Sequence, residues 1–139
     1  MQNNNNIANM DGKIITFKGY WTTSDVIMNP KALFIYGDNN IGKGKGGQAI
    51  IRDLPNTFGI PTKKYPSNNS NAYYTDAEII ENIRRIRSAI NSIVYLSSRY
   101  EYVVLPENGF GTGLADLPRK APGTYKYLVS AVEQMKKLI

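Results

Sequence analysis

Four glycines fall within six residues in the segment Tyr36-Gly-Asp-Asn-Asn-Ile-Gly-Lys-Gly-Lys-Gly-Gly-Gln48. Without a Cβ, Gly42, Gly44, Gly46 and Gly47 let the backbone take positive φ and come close to a ligand. Successive amides in such a turn form a concave anion site that needs no charged side chain. The plain alternative is a flexible turn. An apolar run before the segment, a helix-like run after it and the interleaved lysines favour phosphate binding. The segment is neither a Walker loop, which needs Lys-Ser/Thr, nor a dinucleotide GxGxxG.

A second such segment is Leu105-Pro-Glu-Asn-Gly-Phe-Gly-Thr-Gly-Leu-Ala-Asp116, where Gly109, Gly111 and Gly113 alternate. Two loops in equivalent places can hold a diphosphate from both sides. Here Thr112 offers a hydroxyl and Phe110 an apolar face for a ribose or base, with Asn108 and Leu114 as further ligand-binding candidates. In the first loop Asp38, Asn39, Asn40 and Gln48 are the matching side chains. Asn and Asp also cap turns locally, but at least one ligand contact is expected from Asp38 to Asn40, since donors and acceptors beside an anion nest suit ribose hydroxyls.

The missing residue types narrow the chemistry further. With no Cys and no His, the chain has no thiolate nucleophile, histidine base, disulfide or Cys/His zinc site. Asp38, Glu107 and Asp116 are the acids placed to position a water, and no metal or cofactor is assigned.

The elements that must carry these loops follow from the pattern around them. Lys13 to Lys18 and Thr57 to Pro61 read as strands, and Ala32 to Tyr36 and Tyr100 to Pro106 as strands covered on both faces. Thr23 or Ser24 opens a short helical turn through Met28, and Gly46 to Asp53 a short helix. Tyr65 to Tyr74 reads as a surface loop. Thr75 to Ser97 is a helix with a capping box at Thr75 and Glu78, and a last helix spans Tyr125 to Ile139. This order implies a layered α/β fold with a mixed, largely parallel sheet and ligands at the carboxyl ends of its strands.

At 139 residues the chain fits one domain, expected over residues 13–139 behind a disordered tail over 1–12. No apolar run approaches the ~20 residues that cross a bilayer, so a soluble, cytoplasmic protein without a membrane partner is expected. The net charge of +6 favours an anionic partner. Arg84, Arg85, Arg87, Lys136 and Lys137 read as solvated helix faces. For Lys43, Lys45, Lys63 and Lys64, phosphate contact and solvation stay open. Nucleic acid ranks lower as a partner, because the ten tyrosines do not interleave with a basic stripe.

The loops resemble those of the macro domain superfamily, which binds ADP-ribose and related NAD metabolites. Leu33 to Ile51 is similar to its apolar strand, asparagine, glycine run and helix; Leu105 to Leu117 is similar to its phosphate loop, with Thr112-Gly113-Leu114 in the central place. The pieces Gly37-Asp38-Asn39, Gly59-Ile60-Pro61-Thr62-Lys63, Gly111-Thr112-Gly113-Leu114-Ala115 and Ala121-Pro122 are similar to small macro-like proteins of phages and prophages. The resemblance implies a three-layer α/β/α fold and binding of ADP-ribose or a related NAD-derived or cyclic nucleotide. In a phage it also suggests sequestration of an immune signal in the host cytoplasm. The second reading is a hydrolase acting on ADP-ribosyl or ADP-ribose phosphate linkages; it ranks lower because no acid has a clear tuning partner. A nucleic-acid-binding or structural interaction protein ranks third.

Overall fold

The computed structural model describes residues 6–139. Among them, five strands form one sheet: β1 (Ile7–Asp11), β2 (Ile14–Phe17), β3 (Ala32–Asn39), β4 (Thr57–Lys63) and β5 (Tyr102–Pro106). Their order is β1-β2-β5-β3-β4. β1 runs antiparallel to β2, whereas β2, β5, β3 and β4 are mutually parallel. The α-helices are α1 (Thr23–Ile27), α2 (Ile79–Ser97), α3 (Leu117–Lys120) and α4 (Pro122–Leu138). The protein is thus α/β with a mixed sheet, and no helix among the described residues is long and apolar enough to cross a membrane.

Alternation along the strands decides which side chain enters which core. Leu33 and Ile35 of β3 join Ile14, Val103 and Leu105 beneath α2 and α4, which contribute Ile86, Ile90, Leu128 and Met135. Ala32, Phe34 and Tyr36 point to the opposite face, against Val26 of α1 and against Ala49 and Ile51. There Trp21 meets Phe17 and Phe34 edge-on, with ring centres 5.6 and 5.7 Å apart. A sheet covered on both faces explains why ALFIY carries no polar alternation.

Several boundaries differ from expectation, each for a local reason. Part of the expected tail, Ile7–Asp11, is strand β1, paired to β2 through a turn in which Gly12 takes φ +58°; residues 1–5 of that tail lie outside the described residues. β3 continues to Asn39, so Gly37, Asp38 and Asn39 belong to the sheet and pair with Ile60, Pro61 and Lys63. β4 passes through Pro61 to Lys63; as an edge strand it needs no ladder bond on its outer side, which makes the proline tolerable.

The helix expected from Gly46 to Asp53 is a 3-10 turn, Gly47–Ile51. Thr22, rather than Thr23 or Ser24, caps α1 in a capping box with Asp25. The box expected at Thr75 does not form: the Thr75 hydroxyl lies 3.2 Å from Glu78 Oε1, Glu78 pairs with Lys64 at 2.8 Å, and a single 3-10 turn precedes α2. The last helix starts early, at Pro122, because the Asp76 carboxylate accepts hydrogen bonds from the Gly123 N–H (2.7 Å), the Thr124 N–H (2.9 Å) and the Thr124 hydroxyl (2.9 Å). α3, unforeseen, fills the stretch before it.

Candidate functional site

Because β2, β3, β4 and β5 are parallel, their carboxyl ends lie along one edge of the sheet. The segments leaving that edge line a single cavity of about 820 Å³. Its wall takes Gly44, Gly46 and Gly47 from the first loop and Gly111, Thr112 and Gly113 from the second. Thr62 and Lys63 enter from the end of β4, and Tyr20 from the segment after β2. The volume is in the usual range for small-molecule sites.

Gln48 joins the two loops. Its side-chain oxygen accepts the Gly37 N–H at 2.7 Å, and its amide nitrogen donates to the Gly109 carbonyl at 2.9 Å. The Trp21 indole N–H fixes the Gln48 carbonyl at 2.9 Å, so the junction is anchored in the core. The loops also touch through Leu114, whose Cδ1 lies 3.1 Å from where a Gly46 Cβ would stand.

Backbone donors are left over on both sides of this junction. Among the described residues, the N–H groups of Gly46, Gly47 and Gln48, and those of Gly111, Thr112, Gly113 and Leu114, have no protein acceptor. Gly111 is buried and Gln48 half-buried, while the other five residues are exposed, so their amides stand open to solvent or to a ligand. These seven belong to residues of the cavity wall.

The first loop is shaped by polar side chains. Asn39 Oδ1 accepts the Ile41 and Lys43 N–H groups at 3.2 and 3.4 Å, while Nδ2 donates to the Lys43 carbonyl at 2.6 Å. Arg52 reaches in from behind, donating from Nη2 to Asp38 at 2.6 Å and from Nε to the Gly44 carbonyl at 2.7 Å. Burial alone would lower the Arg52 pKa; the hydrogen bond and charge of Asp38 outweigh it and hold the guanidinium charged. Burial, reinforced by the nearby Asp38 charge, pushes the Tyr36 hydroxyl above its ordinary value.

Sequence-predicted residues fall into two groups. Asp38, Asn39, Gly44, Gly46, Gly47, Gln48, Asn108, Gly111, Thr112, Gly113 and Leu114 line the cavity. Several spend their polar groups within the protein all the same: Asp38 on Arg52, Asn39 on its own loop, and the Thr112 hydroxyl on the Asn108 carbonyl at 3.0 Å. Asn40, Gly42, Gly109 and Phe110 stand outside the wall. Asn40 accepts the hydroxyl of buried Tyr74, and Gly42 sits at positive φ beside Arg52. Phe110 offers no face to a ligand: positive φ at Gly109 and Gly111 turns its ring into the core beneath α4.

Of the acids, Glu107 lies off the cavity and accepts the Gly19 N–H at 3.0 Å; Asp116, also off it, pairs with Arg119 at 2.6 Å. Neither has a free carboxylate facing the cavity, and Asp38 is neutralised. Among the described residues no three His, Cys, Asp or Glu side chains gather as metal ligands.

The four loop lysines separate. Lys45 pairs with Asp53 at 3.6 Å and Lys64 with Glu78 at 2.8 Å, whereas Lys43 and Lys63 line the cavity. Arg52, Thr62, Tyr20 and Pro66 are wall residues that the reading of the loops did not single out. The nearest signal was the Ile60-Pro61-Thr62-Lys63 run; nothing in the spacing of Asp38 and Arg52 announces their pairing.

No curated protein and no solved structure matches this chain. A family model, described as a family of unknown function (DUF7831), matches residues 16–131, a span that includes β3, β4, β5 and both glycine loops. The chain therefore belongs to the DUF7831 family.

Proposed function

We propose that this protein binds ADP-ribose or a related NAD-derived or cyclic nucleotide in the cavity between its glycine loops, as a binding module of macro-domain-like, three-layer architecture. One observation carries the reading: two loops with unpaired backbone amides line the same cavity and are stapled together by Gln48. Preorganised N–H groups recognise phosphate oxygens without the entropy cost of ordering long side chains. Tyr20, 92% exposed, and Leu114, 67% exposed, offer apolar surface at the mouth for a base or ribose, the role first given to Phe110. Such a module can sequester its nucleotide.

Hydrolysis ranks below binding because all three candidate acids are hydrogen-bonded or ion-paired elsewhere. The test is a thermal-shift panel of ADP-ribose, cyclic ADP-ribose forms, NAD, cyclic oligonucleotides and adenosine. A ligand at 100 times its Kd adds ~2.7 kcal/mol of stability. Stabilisation by a phosphate-bearing member but not by adenosine is expected; stabilisation by none contradicts the reading. Mass spectrometry of the bound nucleotide after incubation should return it unchanged, and turnover would restore the hydrolase.

A further inference from the structure

Lys63 is an unusual member of the cavity wall. The residue is only 8% exposed, at the end of β4 where the register with β3 shifts. Among the described residues it makes no ion pair or side-chain hydrogen bond. Its closest attractive contact is the Tyr73 ring, with Nζ 4.5 Å from the centroid. That ring is shared with a second cation, Lys120, at 4.8 Å. Burial, with no carboxylate to offset it, holds the Lys63 ammonium below the usual lysine range.

A partly desolvated ammonium without a counter-ion is costly, and proteins tend to keep largely buried charges where something pairs with them. The remaining wall offers nothing to do so. Its one carboxylate, Asp38, is held by Arg52, so Lys43 and Lys63 leave the lining two positive charges in excess. Lys43 is exposed and screened by solvent; Lys63 is largely buried and screened less.

We infer that Lys63 reads the negative charge of the bound ligand, which carries a diphosphate: one phosphate sits on the free amides of the glycine loops and the other pairs with the Lys63 ammonium. This rests on the nucleotide reading above and narrows it to ligands with two phosphate charges. Adenosine leaves Lys63 unpaired, and AMP satisfies only one of the two subsites.

The experiment is isothermal calorimetry of the wild type, Lys63→Met and Lys63→Arg with ADP-ribose, inorganic pyrophosphate, AMP and adenosine, alongside ligand-free melting curves. Loss of a charge-assisted contact weakens ADP-ribose and pyrophosphate roughly 10- to 100-fold in Lys63→Met. Lys63→Arg retains most of the affinity. The ligand-free Lys63→Met protein melts at or above the wild-type temperature, because methionine keeps the aliphatic stem and removes an unpaired charge. Wild-type binding of ADP-ribose that Lys63→Met leaves unchanged overturns this inference and spares the nucleotide reading. Lys63-dependent binding of pyrophosphate with no nucleotide bound does the reverse. A lower melting temperature for ligand-free Lys63→Met contradicts the claim that this charge awaits a partner, and absence of all binding sinks both.

Discussion

Between β3 and the 3-10 turn at Gly47, polar side chains give the chain its shape: Asn39 closes the loop from inside and Arg52 clamps it from behind. After β5 the shape comes from the backbone. The Gly109 N–H donates to the Pro106 carbonyl at 3.1 Å and the Leu117 N–H to the Gly111 carbonyl at 2.8 Å, and a Cβ on Gly111 would stand 2.9 Å from Leu117 Cβ. Two segments that look alike in composition therefore fail in different ways. A side-chain clamp breaks when its charge is removed, whereas a packed glycine turn breaks when a methyl group is added.

The largest expected effect is on the clamp. Arg52→Met leaves the Asp38 carboxylate, only 16% exposed, without its cation and should cost ~3 kcal/mol or more in urea unfolding. A loss under ~1 kcal/mol would mean that solvent or another group replaces Arg52 readily. In the second loop, Gly111→Ala combines positive φ (+78°) with overpacking against Leu117 and should cost ~2–4 kcal/mol. Gly113→Ala, with ordinary φ and open space, should stay within ~0.5 kcal/mol. Equal losses for the two alanines would erase the distinction between packed and open glycines.

Gln48→Leu severs the junction itself. Two hydrogen bonds go, and the Gly37 N–H and Gly109 carbonyl lose their partner, for ~2 kcal/mol together with weakened ligand binding. Stability lost with binding intact would show that the loops hold their places independently.

A smaller effect than that of Gln48→Leu lies away from the cavity. Burial tends to raise the Asp76 pKa, but the hydrogen bonds from Gly123 and Thr124 outweigh it and hold the carboxyl below its ordinary value. A depressed native pKa stabilises the fold above the unfolded pKa of ~3.9 and is lost as pH falls through the native one. Asp76→Asn should thus cost ~1 kcal/mol at neutral pH, and the gap to wild type should close below about pH 4. A gap that does not depend on pH would assign the effect to shape alone.

Strands β2 to β5 and the long helices, though not β1, were legible because their patterns are local: continuous apolar runs for β3 and β5, and a 3.6-residue repeat for α2. Both glycine loops were legible for the same reason. What escaped was set by distant partners. The charge clamp pairs Asp38 with Arg52 across a turn, and Asp76 caps α4 from the 3-10 turn that precedes α2; Lys63, open between phosphate and solvent in the sequence, is a wall residue because β4 runs past Pro61. Phe110 looked like a ligand face because its flanking glycines were visible and the direction they turn the chain was not.

The most direct test of the two-loop site is calorimetric titration of ADP-ribose into wild type and Gly46→Asp. Gly46 has φ −79°, and its missing Cβ would meet only the movable tip of exposed Leu114, so the variant should fold. A carboxylate set among the free amides should raise the Kd by more than ~10-fold through like-charge repulsion. An unchanged Kd, or no binding to the wild type, would contradict the account.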